Sequence, residues 1–441
     1  MASETTRTEV VVVGGGIGGL ACALALAQKG ARVTVLEAAA RLGGRGASER
    51  DQGFVLNQGP HALFEPSRAM LTSLGITPRA HLVAPEGTFV DDGERLHVLP
   101  GGVGSFFTTS YLDGRDRLSL GGLFPSLLAA RSSDDVTFAA WLEGRALTPR
   151  IHALLEMLAR VATYGADLRT ASAPAVIGQL RAATLGGVRY VDGGWSAIVQ
   201  ALAQAAQARG VEVVTRARAL GVSLEPTRLV VQTDARRLEA SELVIAGPST
   251  LAHGLLAPLG DDVAKEIAPR GPGVRVACLD LGLDALPEGA AKGAFGTREP
   301  TYVSVHSATA ELAPRGAAVV HAALYLGDRA PRPKEDRAAI EAALDRAIPG
   351  WRPLVRAERF APAALAASAR VDAPHGLAGR PATTVGALTQ HARGVHLVGD
   401  WVGPRGLLLD AVMASALAVA RSIEARRSAR MSRSSLAESA L

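Results

Sequence analysis

Residues 14–19 read Gly-Gly-Gly-Ile-Gly-Gly and put Gly14, Gly16 and Gly19 at the spacing G-x-G-x-x-G. The run before them, Glu9–Val13, is short and β-branched, as suits a strand buried on both faces. The run after them, Ile17–Lys29, carries alanine and leucine at helical spacing until Gly30, and Arg32–Leu36 is a second strand closing on Glu37. Strand, turn, helix and strand within about thirty residues predict a βαβ unit. Each glycine has its own task. One turns the chain tightly, one lets a pyrophosphate reach the backbone, and one lets helix and sheet pack closely. Ile17 and Gly18 open the helix, whose free N–H groups and partial positive charge face phosphate. Glu37 lies eighteen residues past Gly19, where a carboxylate can accept ribose hydroxyls. In a chain of 48 glycines the motif alone says little; the strand before it, the helix after it and the acid at this distance predict a dinucleotide site.

Composition narrows the remaining choices. With 441 residues, 48% hydrophobic and 20% charged, the chain suits two globular domains. The net charge of +5 is small, arginine supplies nearly all the positive charge, and no patch mixes basic with aromatic side chains, so nucleic acid is not an expected partner. Cys22 and Cys278 are the only cysteines and form no C-x-x-C pair. No metal-ligand or Ser-His-Asp spacing occurs, and no metal is expected. The uncharged runs from 10 to 28 and from 243 to 260 are interrupted by glycines and prolines, so neither reads as a membrane span. These features predict a soluble, cytoplasmic protein, with attachment to a membrane surface left open.

Along the chain, Trp195–Ala208 reads as an amphipathic helix, Val211–Thr215 as a strand and Leu229–Thr233 with Leu238–Ala240 as a hairpin. Leu243–Ala246 is a further buried strand. Val274–Leu283, Thr301–His306 and Ala317–Leu326 read as strands and Pro333–Ile348 as a helix; Val395–Val398 is a strand, followed by a helix from 408 to 425. Val136–Arg169 and Ala173–Thr184 read as helical. Nucleotide-type segments therefore stand at the start, middle and end. We expect an α/β fold in which a Rossmann-type domain, a parallel sheet with flanking helices (residues 1–85, 190–270 and 386–426), is interleaved with an α+β substrate domain on a mixed or antiparallel sheet (86–189 and 271–385). Residues 427–441, rich in serine and arginine, read as a disordered tail. Val98–Leu112 and Leu118–Ala130 carry few charges and include Phe106, Phe107, Tyr111 and Phe124. They read first as core-facing elements, second as the lining of an apolar channel or a surface resting on a membrane.

The residues beyond Glu37 carry a family resemblance. Glu37, Arg41, Gly43, Gly44 and Arg45, in the pattern Glu-x-x-x-Arg-x-Gly-Gly-Arg, resemble the FAD-binding signature of the amine oxidase, protoporphyrinogen oxidase and phytoene desaturase superfamily. Gln58-Gly59-Pro60-His61 resembles that family's loop under the flavin. Asp192-Gly193-Gly194 and Val211-Glu212-Val213 resemble the segment whose strand backbone contacts the adenine. Val395–Asp400 followed by Leu408 and Leu409 resembles the C-terminal flavin motif, with Gly399 and Asp400 toward the ribityl and pyrophosphate. The stretches 59–64 and 399–403 are most similar to the phytoene desaturase-like branch. The resemblance implies a flavin-dependent oxidoreductase holding FAD non-covalently, since residues 395–425 contain no cysteine to attach it.

For chemistry, the resemblance puts His61 and Trp401 near the isoalloxazine. The alternative readings are a histidine bonded to a backbone carbonyl for His61, core packing for Trp401, and surface arginines for Arg41 and Arg45. His306, His321 and Tyr325 fall on predicted strands of the substrate domain. The implied reaction is desaturation or oxidation of an apolar, isoprenoid-like or polycyclic molecule by hydride transfer to flavin, with oxygen or a quinone as electron acceptor. An amine or amino-acid oxidase is the alternative, and a non-enzymatic prenyl-lipid carrier a third reading.

Overall fold

Four consecutive β-branched residues with no room for water on either side make Val10–Val13 the centre of a sheet; all four are buried. In the computed structural model, which describes residues 4–438 apart from 130–135, 226–227, 269–270 and 392–393, this strand belongs to a five-stranded sheet. The order is Glu212–Val214, Val33–Leu36, Val10–Val13, Glu242–Ala246 and Gly394–Val398, and every neighbouring pair is parallel. Helix Ile17–Ala27 lies against the sheet, packed by helix Trp195–Gln207 and the C-terminal helix Leu408–Glu438. Leu20, Leu24, Ile198, Leu202, Met413 and Val419 are buried between these elements. The crossover order is that of a Rossmann-type sheet.

A second sheet of seven strands completes the α/β architecture. Its order is Val355–Ala367, Val274–Leu283, Ala318–Tyr325, Thr301–Val305, Gly293–Gly296, Thr88–Asp91 and Leu96–Val98, all antiparallel except for the pairing of Gly293–Gly296 with Thr88–Asp91. One face is covered by helix Pro333–Ala347, through Ile340 and Leu344. The opposite face carries Val276, Cys278, Tyr302, Ala323 and Tyr325. The residues at 229–233 and 238–240 pair antiparallel as the sequence predicts, with Val231 opposite Leu238, but in a separate four-stranded sheet that also takes in Glu4–Arg7.

Three expectations need correction. The helical stretch 136–169 is two helices, Phe138–Glu143 and Pro149–Thr163; Thr148 caps the second by accepting from the Ile151 N–H. The predicted tail is no tail over 427–438, because the C-terminal helix runs to Glu438. Its arginines have distant partners: Arg426 and Arg430 reach the buried Glu242 at 3.3 and 2.7 Å, and Arg427 donates to the carbonyls of Lys29 and Gly30. Composition suggested disorder, but these ion pairs fasten the helix to the sheet. Residues 439–441 lie outside the described ones. Finally, the weakly charged stretch at 98–130 divides. Tyr111, Leu112 and Leu123 are buried among the helices, whereas Val103, Phe107 and Leu118 are 79%, 66% and 80% exposed. The side chains of Phe124 and Ala130 lie outside the described ones.

Candidate active site

A cavity of about 680 Å³ runs from the glycine turn to the inner face of the seven-stranded sheet. At its nucleotide end the glycines divide their labour as the chemistry requires. A Cβ on Gly14 would land 2.1 Å from the Ala246 carbonyl oxygen, and one on Gly19 2.0 Å from the Gly14 oxygen, so both permit close packing of helix on sheet. A Cβ on Gly16 would meet only the Gly43 oxygen, at 3.6 Å, and otherwise project into free space. Gly16 lines the cavity with Ile17 and Gly18, and no side chain caps the helix that begins there. Its first N–H groups are available to an anion. Glu37 is anchored by two backbone donors, Gly15 to Oε2 at 2.9 Å and Ala39 to Oε1 at 2.8 Å. A carboxylate has about four acceptor positions, so capacity remains on the cavity side.

In the middle of the cavity Gly43, Gly44 and Arg45 meet Gly399 and Asp400. Gly43 and Gly44 have φ of +121° and +53°, which turns the chain so that Arg45 points inward. Its guanidinium forms a bidentate pair with Asp400, at 2.7 and 3.1 Å, and Asp400 also accepts from the Ser368 N–H. Burial pushes the Asp400 carboxyl up, but the charge and hydrogen bonds of Arg45 outweigh it and hold the group below its ordinary range. Leu408 and Leu409 close this region at the start of the C-terminal helix. Leu408 has φ of +52°, a conformation that a leucine keeps only where its surroundings dictate it.

His61 lines the cavity, with Nδ1 2.9 Å from the Gly59 oxygen and Nε2 3.1 Å from the Arg45 oxygen. Burial lowers its pKa to about 4, against the pull of the two carbonyls. The neutral ring carries one N–H, so only one carbonyl receives a hydrogen bond at a time. Pro60 also lines the cavity, while Gly59 is buried beneath it: at φ +87° a Cβ there would sit 2.8 Å from the Cys278 sulfur. The far wall comes from the second sheet, as Val276 and Cys278 of one strand and Arg359, Ala361, Ala364 and Leu365 of its neighbour. Tyr164 completes it, donating to the Pro60 oxygen at 2.7 Å.

Other sequence candidates fall elsewhere. Arg41 is exposed and lines no part of the cavity. Val213 lies on the edge strand beside Val35, but the cavity meets Ala217, Arg218 and Ala219 a few residues on. Trp401 is fully buried in the core on the other side of the parallel sheet, its indole N–H donating to the Gly247 oxygen at 2.9 Å. His306, His321 and Tyr325 are buried on or beside the second sheet and do not line the cavity. Cys22 sits in the core with its thiol pushed up to about 12 by burial. Sequence spacing gives no Ser-His-Asp set, yet His97 bridges Asp92 and Ser110 at 2.9 and 2.8 Å; Asp92 also accepts the N–H groups of Glu94 and Arg95, so the series braces a hairpin turn. Among the described residues no group of histidine, cysteine and acidic side chains could hold a metal ion.

A Rossmann-type sheet, a glycine cradle open to an elongated cavity and a second sheet walling its far end define a dinucleotide-binding α/β protein with a substrate chamber. The profile of the flavin containing amine oxidoreductases matches residues 17–423, and the chain belongs to that family. Its cofactor is FAD. The cradle at Gly16, the uncapped helix, Glu37 and the Arg45 guanidinium fit the phosphates and ribose of that group. Coproporphyrinogen III oxidase of Propionibacterium freudenreichii subsp. freudenreichii is 29% identical over 194 residues, 40% of this chain and 36% of the relative. Hydroxyneurosporene desaturase of Rhodobacter capsulatus is 26% identical over 307 residues, 60% of this chain and 61% of the relative. The chain thus matches about a third to three-fifths of these relatives' length. An oxidoreductase from Methanosarcina mazei superposes with a TM-score of 0.73 at 20% identity, covering 94% of this chain and 99% of that one. Putrescine oxidase bound to putrescine gives 0.71 at 18% identity, with 96% and 100% covered. At such identities the likeness is one of fold.

Proposed function

We propose that the protein is an FAD-dependent desaturase or oxidase acting on an apolar, isoprenoid-like or polycyclic small molecule, with the flavin held non-covalently. The observation that carries this reading is the far wall of the cavity. Val276, Cys278, Ala361, Ala364 and Leu365 are apolar or small, and the one charge among them, Arg359, is paired with the buried Asp280, so this wall presents no free carboxylate to an ammonium substrate. The names of hydroxyneurosporene desaturase and coproporphyrinogen III oxidase agree with a largely apolar substrate.

Flavin supplies a hydride acceptor when bound. The substrate loses a hydride from one carbon and a proton from its neighbour, a double bond forms, and the two electrons pass on to oxygen, giving hydrogen peroxide, or to a quinone, giving a quinol. The chain's own part is to orient the substrate against the alanine-rich wall and to exclude water there. His61 borders the cavity with both ring nitrogens turned to the Gly59 and Arg45 carbonyls, so its part is to hold the Pro60 loop in place, and the proton leaves to solvent.

Val103, Phe107 and Leu118 give the protein an exposed apolar face that supports peripheral contact with the membrane in which such substrates dissolve. Among the described residues no helix is long and apolar enough to cross a membrane.

The test starts with the absorption spectrum of the purified protein before and after acid precipitation. Yellow flavin bands released into the supernatant as FAD support the reading, and anaerobic bleaching by polyenes or porphyrinogens but not by amines completes it. Bleaching by amines alone overturns the substrate class. A colourless protein that takes up no FAD overturns the whole proposal. Reoxidation by oxygen against a quinone identifies the acceptor, and flotation of the full chain with liposomes tests the membrane face.

A further inference from the structure

One cross-strand row is polar over four of the second sheet's seven strands. Arg359, Asp280, His321 and Ser304 stand opposite one another on four adjacent strands and share the face turned toward the cavity. Asp280 is fully buried and serves as the hub. Its Oδ1 bonds His321 Nδ1 at 2.7 Å, and its Oδ2 accepts from Arg359 Nη2 at 2.6 Å, Arg359 Nε at 3.2 Å and the Gly59 N–H at 3.2 Å. Arg359 Nη2 also donates to the Asn57 oxygen at 2.6 Å. Two acceptors on two elements, the Asp280 carboxylate and the Asn57 carbonyl, therefore fix the plane of the guanidinium. An arginine so held loses little further rotamer freedom when a ligand binds it.

What is left unspent decides the chemistry. Nε and Nη2 are committed, while Nη1 makes no hydrogen bond among the described residues, and Arg359 lines the cavity with 24% of its side chain exposed. Around it the wall is Cys278 and Ala361, neither of which offers a strong acceptor. A rigid donor without a partner in an apolar chamber is satisfied by water until a ligand oxygen replaces it, and a hydrocarbon that displaces that water leaves the donor bare. Asp280 already balances the charge of Arg359, so the site calls for a lone pair and does not require a full negative charge.

Resting on the flavoenzyme reading above, we propose that Arg359 is a specificity-determining residue whose Nη1 binds an oxygen acceptor, a carbonyl or a carboxylate, at one end of an otherwise apolar substrate. The preferred substrate is then an oxygenated apolar molecule and not a plain hydrocarbon. Asp280 and His321 are positioning residues that act through Arg359.

The experiment uses the FAD-loaded full chain and three flat probes of similar size: 2-naphthoate, 2-acetylnaphthalene and 2-ethylnaphthalene. Binding is read from the shift of the flavin bands and, independently, from quenching of tryptophan fluorescence, since Trp195 borders the cavity. At least one oxygenated probe should bind wild type about tenfold or more tightly than the hydrocarbon, the effect of a hydrogen bond to a charged group. Naphthoate alone doing so identifies a carboxylate; both oxygenated probes binding equally identifies a neutral acceptor. Arg359→Lys keeps the charge beside Asp280 but loses the fork, so it should abolish that preference and leave the affinity for 2-ethylnaphthalene unchanged. Equal binding of all three probes to wild type, a measurement that needs no variant, overturns the proposal. So does a uniform loss across the probes in Arg359→Lys. A protein that holds no flavin fails the flavoenzyme reading instead, so the two failures are distinguishable.

Discussion

Arg45 and Asp400, separated by 355 residues in the chain, meet as fork and carboxylate at 2.7 and 3.1 Å in the middle of the cavity. Asp400 is almost fully buried, whereas the Arg45 side chain is 38% exposed. The pair ties the turn after the first βαβ unit to the end of the last parallel strand, and so holds together two segments that line the cavity. Removing the exposed partner leaves the buried charge, among the described residues, with the Ser368 N–H as hydrogen-bond donor and the Arg380 guanidinium as a nearby cation. Arg45→Ala is therefore expected to destabilise the protein by about 2–3 kcal/mol, the lower end for a broken buried pair. Asp400→Asn, which keeps the shape and leaves no buried charge, should cost less. Urea unfolding of flavin-loaded and flavin-stripped protein checks the order; an Arg45→Ala variant as stable as wild type would show that the pair contributes nothing.

Glu37 has a narrower task. Its two oxygens accept from Gly15 and Ala39, so both are held in place before a ribose arrives. In Glu37→Gln the amide nitrogen must face one of those N–H donors, and the charge is lost as well. We expect FAD to bind about tenfold to a hundredfold more weakly, the range for losing a charged hydrogen bond. Recovery of free-flavin fluorescence on dilution measures it. Unchanged retention would mean that the ribose is held elsewhere.

The parts of the molecule that sequence revealed are those where local pattern and tertiary environment agree. Val10–Val13 is β-branched and apolar, and Val395–Val398 apolar apart from His396, because both faces of their sheet are covered, and the adjoining glycines mark where the backbone borders the cavity. The far wall was much harder to read. Strand Val355–Ala367 contains Pro362 and six alanines and shows no clean alternation, so it reads as irregular chain. It forms an edge of the seven-stranded sheet, where proline is tolerated, and its register shifts where Val276 and Cys278 pair with Ala364 and Ala361. Arg359, which this strand carries into the cavity, was missed with it. One signal was available: Asp280 is the sole acid in the otherwise apolar run from Val276 to Leu283, and a carboxylate in a buried strand must have partners. Trp401 misled in the opposite direction. It stands in a motif that looks chemical, but its N–H is spent on Gly247 and its ring on the core.

His61 gives the site a pH dependence whose sign can be worked out. Burial lowers its pKa from 6.5 to about 4. Between those values the unfolded chain takes up a proton that the folded protein refuses. The stability contributed by the neutral ring is therefore fully present above pH 6.5 and is lost as pH falls toward 4. The slope is at most about 1.4 kcal/mol per pH unit from this one group. In His61→Gln that component should vanish. The gap between variant and wild-type urea midpoints should be constant above pH 7 and change progressively below pH 6.5. A gap that stays constant down to pH 4 would mean that the folded ring titrates normally.

The C-terminal helix makes the last prediction, because its final turns should be required for stability although they lie far from the cavity. Glu242 is buried at the start of a central parallel strand. It is bonded to His396 at 3.1 Å and reached from outside by Arg426 and Arg430 at 3.3 and 2.7 Å. Removing both arginines leaves a carboxylate in the core whose remaining named partner is a histidine. Arg426→Met with Arg430→Met should then cost about 2–4 kcal/mol. Adding Glu242→Gln to the double variant should recover most of that loss, since no buried charge then needs a partner. Denaturant unfolding of the three proteins separates the possibilities. A double variant that unfolds at the wild-type midpoint would mean that the arginines only decorate the helix, and failure of Glu242→Gln to rescue would place the loss in helix packing and not in the stranded charge.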